Sequence, residues 1–245
     1  MNSPCTYNCV AAGAGIQNAG RLVINNSTIS GNAVNIRCKG IVFACQTGGG
    51  GISNHGPHGT VTIRNSTISG NSAPYGSAVW NFGDGAIVGI INSTVSGNRS
   101  PDQRAPAISA LFSTVTISNS TISRNYAAGV QIAKIRNSIV AKNSGANCLA
   151  VTSLGYNLSS DDSCAFNGPG DLNNIDPMLG PLQFNGGPTK TMALPSGSPA
   201  VDAGDPSGRR DNNGILLKTD QRGMPRPDPE DIRGCDMGAY ELQSD

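Results

Sequence analysis

The stretch VTIRNSTISGN, residues Val61–Asn71, decides the fold of this chain because close copies of it recur. The copies are INNSTISGN ending at Asn32, IINSTVSGN ending at Asn98, ISNSTISRN ending at Asn125 and IRNSIVAKN ending at Asn143. The five final asparagines lie 39, 27, 27 and 18 residues apart. A shorter element precedes each copy, reading GAGIQN, GGGISN, SAVWNF, PAISAL and AGVQIA in turn. Repetition at such periods indicates a solenoid.

One unit shows how the chain forms a coil. In Val61–Arg64, apolar and polar residues alternate with period two, which is typical of a strand with one buried face. Asn65 then interrupts the alternation, and asparagine tolerates the left-handed conformation that a sharp bend requires. Ile68 restores an inward residue, and the preceding GGGIS piece supplies another short strand. Three short strands joined by tight bends predict one coil of a triangular solenoid.

Stacking of the coils explains why the same residues recur. Hydrogen-bonded strands lie about 4.8 Å apart, so equivalent residues sit above one another. We therefore predict an asparagine ladder at one bend, in which each amide bonds to its neighbours, formed by Asn26, Asn65, Asn92, Asn119 and Asn137. We also predict an aliphatic column formed by Ile29, Ile68, Val95, Ile122 and Val140.

The predicted fold is all-β, a right-handed parallel β-helix of about five to six coils with a loop-rich C-terminal cap. Residues 1–145 carry the repeats, and residues 146–245 contain a terminal coil and a distinct C-terminal segment. An antiparallel β-sandwich also has many short strands, but it does not predict an asparagine at a fixed place in each unit. The Asn-Ser-Thr triplets match the N-glycosylation sequon, and we favour the structural interpretation because a ladder asparagine points inward.

The charges are distributed unevenly along the chain. Residues 1–145 contain ten Lys/Arg and two acids, whereas residues 146–245 contain seven Lys/Arg and fourteen acids. The basic first part favours acidic polysaccharides or anionic surfaces as partners. We expect no nucleic-acid binding, because no Lys/Arg cluster with interleaved aromatic residues occurs. We expect no membrane span either, because no apolar run approaches the roughly 20 residues required.

Seven cysteines in a chain with few charges indicate an oxidising compartment. Three local pairs are the candidate disulfides, Cys5 with Cys9, Cys38 with Cys45, and Cys148 with Cys164, which leaves Cys235 over. The spacing of cysteines and histidines matches no zinc site. No signal peptide is visible at the start shown, although the cysteines predict export.

The repeat ends after Asn143, and the chain then contains four distinctive strings. They are NCLAVTSLGYNLSSDDSC (147–164), NNIDPMLGPLQFNGGPTKTMALPSGSPAVDAGDP (173–206), TDQRGMPRP (219–227) and GCDMGAYE (234–241). In this order they resemble the choice-of-anchor Q domain of bacterial secreted proteins, which follows a pectate-lyase-like β-helix. The resemblance implies an extracellular or bacterial cell-surface location. No hydrophobic anchor follows, and LPSGS (194–198) lacks the threonine of a sortase motif.

The acids of the C-terminal segment allow two interpretations. The first is a charge network that holds the segment down, formed by Asp220, Arg222, Arg226, Asp236 and Glu241. The second is a calcium site, because hard cations prefer oxygen ligands. Its candidate ligands are Asp202, Asp205, Asp211, Asn213 and Asp220, although their spacing matches no known calcium loop. We favour the charge network and expect no cofactor, with calcium as the alternative.

The coils offer little material for catalysis. Polysaccharide lyases need clustered carboxylates with a base, and glycosidases need two paired carboxylates, yet only Asp84 and Asp102 occur in the repeat region. A metal-free lyase could use a face formed by Arg99, Arg104, Arg124, Lys134, Arg136 and Lys142 with Tyr126. We expect instead a non-catalytic, adhesin-like module that binds a polysaccharide or cell-surface partner. The alternative is a polysaccharide lyase or glycoside hydrolase of the pectate-lyase-like superfamily.

Overall fold

A computed structural model describes residues 9–35, 45–101, 103, 105–206, 209–211, 213–229 and 234–243. The described chain forms six coils, most with three short strands. The first coil contains β1 (Cys9–Ala12), β2 (Ile16–Asn18), β3 (Arg21–Asn25) and β4 (Thr28–Ser30), and the second contains β5 (Cys45–Gly48), β6 (Ile52–His55), β7 (Thr60–Arg64) and β8 (Thr67–Ser69). The third contains β9 (Val79–Phe82), β10 (Ile87–Ile91) and β11 (Thr94–Ser96), and the fourth β12 (Ile108–Leu111), β13 (Thr114–Ser118) and β14 (Thr121–Ser123). The fifth contains β15 (Val130–Gln131), β16 (Lys134–Arg136) and β17 (Ile139–Ala141), and the sixth β18 (Cys148–Leu149), β19 (Thr152–Ser153) and β20 (Leu158–Ser159).

Equivalent strands of successive coils pair in parallel and form three sheets of six strands each. Sheet A contains β3, β7, β10, β13, β16 and β19; sheet B contains β4, β8, β11, β14, β17 and β20; sheet C contains β2, β6, β9, β12, β15 and β18. β1 pairs in parallel with β5, and a separate antiparallel hairpin joins β21 (Leu182–Gln183) to β22 (Thr191–Met192). Three parallel sheets in register confirm the predicted β-helix solenoid.

The core runs along the axis of the rod. Ile29, Ile68, Val95, Ile122 and Val140 are register partners on successive strands of sheet B, and all are buried. Each of them contacts one large apolar cluster that also takes the inward residues of sheets A and C. The aliphatic column that the repeat predicts is therefore confirmed, and it follows from strand alternation because the residues on either side of it point outward.

The chain beyond the last coil first covers the end of the rod. Leu172 forms a parallel bridge with Leu158 of β20. Cys164 and Phe166 join the central apolar cluster, and Cys164 is disulfide-bonded to Cys148 of β18. An uncovered end would expose unpaired backbone groups and apolar side chains, and this part of the chain provides the predicted cap.

Residues 176–243, which we call the strap, then run back along the side of the rod. The strap bonds to four successive coils, from the fifth to the second. The contacts join Arg136 to Asp205, Asn119 Nδ2 to the Arg210 carbonyl, Asn92 Nδ2 to the Thr219 carbonyl, and Thr67 Oγ1 to Gln221 Nε2. The sequence predicts a cover at the end of the rod, and the structure extends that cover along the flank.

The outward face of sheet B explains where the strap docks. The first outward position of its strands carries threonine in the first four coils and then changes to Ile139 and Leu158 in the last two. The two apolar residues pack with Leu179, Met192 and Leu194 of the strap in a second buried cluster. Removing these side chains from water stabilises the docked strap by an amount that grows with buried apolar area.

Polar contacts hold the strap against the threonines of the middle coils. Gln221 is buried, and its amide oxygen accepts from Thr94 Oγ1 at 2.6 Å while its amide nitrogen donates to Thr67 Oγ1 at 3.0 Å. Gly238 lies so close to sheet B that a Cβ there would sit 2.7 Å from Thr121 Oγ1. Its φ of 93° also favours glycine. The strap therefore fits the surface of sheet B closely.

A buried charge cluster forms within the strap, as the sequence predicts. Arg226 and Glu241 are both fully buried, with 2.7 Å between Arg226 Nε and Glu241 Oε2. Asp220 Oδ2 lies 2.7 Å from Arg222 Nε and also accepts from the Glu241 backbone N–H. Asp236 accepts from the Leu242 backbone N–H at 2.6 Å. The five residues thus form one network that ties the end of the strap to its middle.

Candidate functional site

The five asparagines of the predicted ladder occupy one bend of each coil. Asn26, Asn65, Asn92, Asn119 and Asn137 all have positive φ, between 47° and 51°. Amide-to-amide bonds of 2.8 Å join Asn92 to Asn65 and Asn137 to Asn119. The remaining bonds go to the strap, where Asn92 Nδ2 donates to the Thr219 carbonyl and Asn119 Nδ2 donates to the Arg210 carbonyl. Asn137 Oδ1 accepts from the Asp205 backbone N–H. Asn26 is exposed. The row is therefore a discontinuous ladder that anchors the strap.

The continuous ladder is formed by the other asparagine of each repeat. Amide-to-amide bonds of 2.9–3.0 Å link each neighbour in the series Asn32, Asn71, Asn98, Asn125, Asn143 and Asn147. A row of stacked serines accompanies the continuous ladder. The hydroxyl oxygen of each serine accepts a hydrogen bond from a backbone N–H of the preceding coil, and the accepting residues are Ser66, Ser93, Ser120 and Ser138. The sequence reasoning missed both features, although the invariant final Asn and the invariant Ser of the repeat carried the signal.

The structure does not assemble the candidate calcium ligands. No group of three or more acidic, histidine or cysteine side chains able to hold a metal occurs among the described residues. Asp205 pairs with Arg136 and Asp211 with Arg64, at 2.6 and 2.8 Å. Asp211 Oδ1 also accepts from the backbone N–H groups of Asn213 and Ile215.

Asp220 lies in the charge cluster with Arg222. Asp202 is exposed, and its backbone has the left-handed conformation, with a φ of 53°. The carboxylates of Asp205, Asp211 and Asp220 therefore hold the strap in place, and the described residues give no support for calcium.

The structure describes the side chains of Cys148, Cys164 and Cys235. The disulfide between Cys148 and Cys164 is present. The sulfur atoms of Cys5, Cys9, Cys38 and Cys45 lie outside the described residues, so those two pairings stay predictions. Cys235 is a buried free thiol near Asn137, and burial raises the pKa of Cys235 to about 11. A thiol with such a pKa is a poor nucleophile near neutral pH.

The candidate catalytic residues of the coils do not converge. Asp84 is exposed in a turn, while Asp102 and Arg104 lie outside the described residues. The strap engages three of the basic residues: Arg136 through Asp205, Lys142 through Asp176, and Arg124 through the Leu179 carbonyl. Arg99 and Tyr126 are exposed on adjacent coils, and Lys134 lies on sheet A.

The three sheets differ in how much of their outward surface is covered. The strap buries Thr67, Thr94 and Thr121 on sheet B. On sheet C, Trp80 and its register partners Ser53 and Ser109 are buried as well. The Trp80 ring lies directly against the Gly48 backbone of β5, where a Cβ would come within 2.5 Å of the ring. Sheets B and C therefore present little free surface in these coils.

Sheet A retains an uncovered surface, which we call the open face. It comprises the first two outward positions of its strands, namely Arg21, Val23, Thr60, Thr62, Ile87, Gly89, Thr114, Thr116, Lys134 and Thr152. All of these residues are exposed or half-buried. The third outward position, by contrast, lies under the strap, where Ile91 and Ser118 are buried. The open face is flat, rich in hydroxyl groups and bordered by apolar side chains.

A groove lies at the corner between the open face and sheet C. The turn from sheet C to sheet A has four residues in the second and third coils but two in the fourth to sixth. The path shortens again at the fifth coil, because Thr116 lies eight positions after Ile108 whereas their register partners Lys134 and Val130 are four positions apart. This second shortening leaves a step in the rod. The resulting corner groove has a volume of about 150 Å³ and is lined by Ser113, Thr114, Val115, Ile132, Ala133, Lys134, Ala150 and Thr152.

Comparison with protein-family models, curated proteins and solved structures finds no match to this chain. Function must therefore be argued from the surface itself. Within the described residues, no helix of sufficient length and apolar character to cross a bilayer occurs.

Proposed function

We propose that this chain is a non-catalytic, adhesin-like module of a secreted or cell-surface protein that binds glycans through the open face. The observation that carries the proposal is the contrast among the three sheets. The strap covers the middle and last coils of sheet B, and Trp80 and its neighbours are buried on sheet C, whereas sheet A has an exposed or half-buried outward side chain in every coil. Sheet C exposes Gln17, Leu111 and Leu149 in its first, fourth and sixth coils. A surface that a protein leaves uncovered beside extensive coverage elsewhere is where a partner can dock.

The chemistry of the open face suits sugars. Threonine hydroxyls both donate and accept hydrogen bonds, and Thr60, Thr62, Thr114 and Thr116 present them in register on neighbouring strands. Exposed apolar side chains such as Val23 and Ile87 lie on the same face. Sugar rings combine hydroxyl groups with apolar C–H surfaces, so such a mixed surface can meet both parts of the ring.

The distribution of carboxylates supports binding without catalysis. Glycoside hydrolysis requires two carboxylates that flank the bond to be broken. The outward positions of the open face carry no acid. Asp205, Asp211 and Asp220 pair with arginines at the strap. An extracellular location is supported by the Cys148–Cys164 disulfide, since disulfides persist mainly in oxidising compartments.

The experiment is a retention assay on a panel of neutral and acidic polysaccharides. We expect immobilised protein to retain at least one glycan without shortening it, as measured by chromatography and by the absorbance of unsaturated products. Thr62→Tyr places a bulky ring on the open face and should weaken retention. Thr28→Tyr makes the same change on an exposed position of sheet B and serves as the matched control. Shortened chains, or equal retention by both variants, would contradict the proposal.

A further inference from the structure

The corner groove has the size of a site for one sugar ring. At about 150 Å³ and open to solvent, it is a depression that can admit one ring of a glycan without enclosing it. It is open on the side of sheet A, where Thr114, Lys134 and Thr152 line it. A single six-membered ring can therefore enter while the rest of a longer glycan continues over the open face.

Two of the apolar residues that line the groove, Ile132 and Ala150, have an unusual backbone conformation. The first residues of the three two-residue turns are Phe112, Ile132 and Ala150, with φ values of 52°, 50° and 53°. A β-branched residue with positive φ is a genuine outlier, and Ile132 is moreover 41% exposed. Residues held in strained conformations cluster at binding sites. Here the bend leaves the Ile132 side chain partly exposed to solvent at the groove.

The polar part of the groove carries one positive charge. Lys134 is exposed and takes part in none of the ion pairs that the described residues form. The lining contains no acid. Asp84 lies in the corresponding turn of the third coil, and Asp171 accepts bonds from Ser153 Oγ and the Gly168 N–H. A bound anion at Lys134 would meet no carboxylate within the groove.

We propose that the corner groove is a subsite for a sugar ring with an anionic substituent, whose apolar face rests on Ile132 and whose anion pairs with Lys134. The hydroxyls of Thr114 and Thr152 bond to the ring hydroxyls. The proposal rests on the proposed glycan binding and specifies the class of glycan. A carboxylate and a sulfate share the recognised chemistry, and titration distinguishes them.

The test is isothermal titration calorimetry of the full chain with three trisaccharides. They are a galacturonic acid trimer, a sulfated galactose trimer and an unsubstituted galactose trimer. We expect an anionic trimer to bind tighter than the neutral one, with affinity that falls as salt rises. Lys134→Gln should weaken anionic binding by about tenfold, the loss of one charge-assisted contact. It should change neutral binding by less than about twofold. Ile132→Gly, which suits the positive φ, should weaken all three.

Lys218→Gln is the matched control, because Lys218 is an exposed lysine on the strap. It should bind as the wild type does. Equal affinity of Lys134→Gln and wild type for the anionic trimers would overturn the subsite while leaving glycan binding by the open face intact. Failure of the wild-type chain to bind any glycan in the retention panel would instead overturn the proposed function. Tighter binding of the uronate or of the sulfated trimer identifies the anion.

Discussion

The continuous asparagine ladder should contribute more to stability than any exposed asparagine, and Asn98→Ala tests this. Asn98 is fully buried at the middle of the ladder. Its Nδ2 donates to Asn125 Oδ1 and to the Ile68 carbonyl, both at 3.0 Å. Its Oδ1 accepts from the backbone N–H and from the side-chain amide of Asn71, at 3.1 and 3.0 Å. Alanine removes all four bonds.

The cost follows from what each partner loses. The Asn71 backbone N–H loses its acceptor in a buried site, which costs about 1–3 kcal/mol. The Asn71 amide still reaches the Ile29 carbonyl, and Asn125 Oδ1 still accepts the backbone N–H of residue 98. The lost bonds to Asn125 and Ile68 therefore cost only about 0.5–1.5 kcal/mol each. The sum is a loss of roughly 2–6 kcal/mol from the free energy of unfolding, a large share of the total stability of most domains.

Equilibrium urea unfolding measures the change, with the fluorescence of Trp80 as the probe. Trp80 is the single tryptophan and is buried against β5, so its emission should shift when the coils open. Asn25→Ala is the matched control, because Asn25 is exposed on β3, and it should change stability by less than about 0.5 kcal/mol. If Asn98→Ala lowered the unfolding midpoint no more than Asn25→Ala does, the reasoning about the ladder would be refuted.

Two further predictions concern the strap. Glu241→Gln removes the negative charge that pairs with the buried Arg226 guanidinium. It should lower the free energy of unfolding by about 3–5 kcal/mol, detected as faster proteolysis within residues 176–243. The exposed pair Lys142–Asp176 is the control, since Asp176→Asn should lower the free energy of unfolding by under about 1 kcal/mol. Because burial raises the pKa of Cys235 to about 11, Cys235 of the native chain should resist alkylation at pH 8 and become alkylated in urea, as measured by peptide mapping. Ionisation favours the unfolded chain above the ordinary thiol pKa, so stability should fall as pH rises from about 9 toward 11; equal alkylation of the native and unfolded chains would contradict this.

The repeat determined the fold because periodicity carries register. Once Ile29, Ile68 and Val95 are aligned as equivalent residues, strand alternation places them on the inner face. Parallel pairing then stacks them. The left-handed bend at Asn65 and its equivalents was predictable for the same reason, since few residues other than asparagine and glycine accept that conformation readily. Local chemistry and repetition together were sufficient to predict the inward residues, the bends and the stacking of the coils.

The direction of the asparagine side chains was harder to predict from repetition. Asn65 and Asn71 recur equally often, so the period alone cannot tell which of them faces the core. The alternation could have done so, because Asn71 follows the inward Ile68 after a glycine bend, whereas Asn65 is the bend itself. The contact of Asn92 and Asn119 with the strap depends on residues more than 90 positions away. No local pattern contains that information.

The position of the strap was only partly visible in the sequence. Its charge cluster around Arg226 could be predicted, because buried charges need partners. The docking surface was marked by a change from threonine to Ile139 at one position of the repeat. Such a change becomes meaningful only once the outward position on sheet B is known to be covered. The corner groove was not predictable, since it arises from a difference in turn length between stacked coils.

The docked strap also gives the uneven charge of the chain a structural cause. The surplus of acids in the second part and of bases in the first suggests, by itself, an acidic partner outside the molecule. The structure shows a partner inside it, because Asp205, Asp211 and Asp176 of the strap pair with Arg136, Arg64 and Lys142 of the coils. Docking of the strap therefore neutralises part of the basic charge of the coils. Lys134 takes part in none of these pairs and lies on the open face of sheet A, and this position, rather than the net charge, favours an anionic ligand.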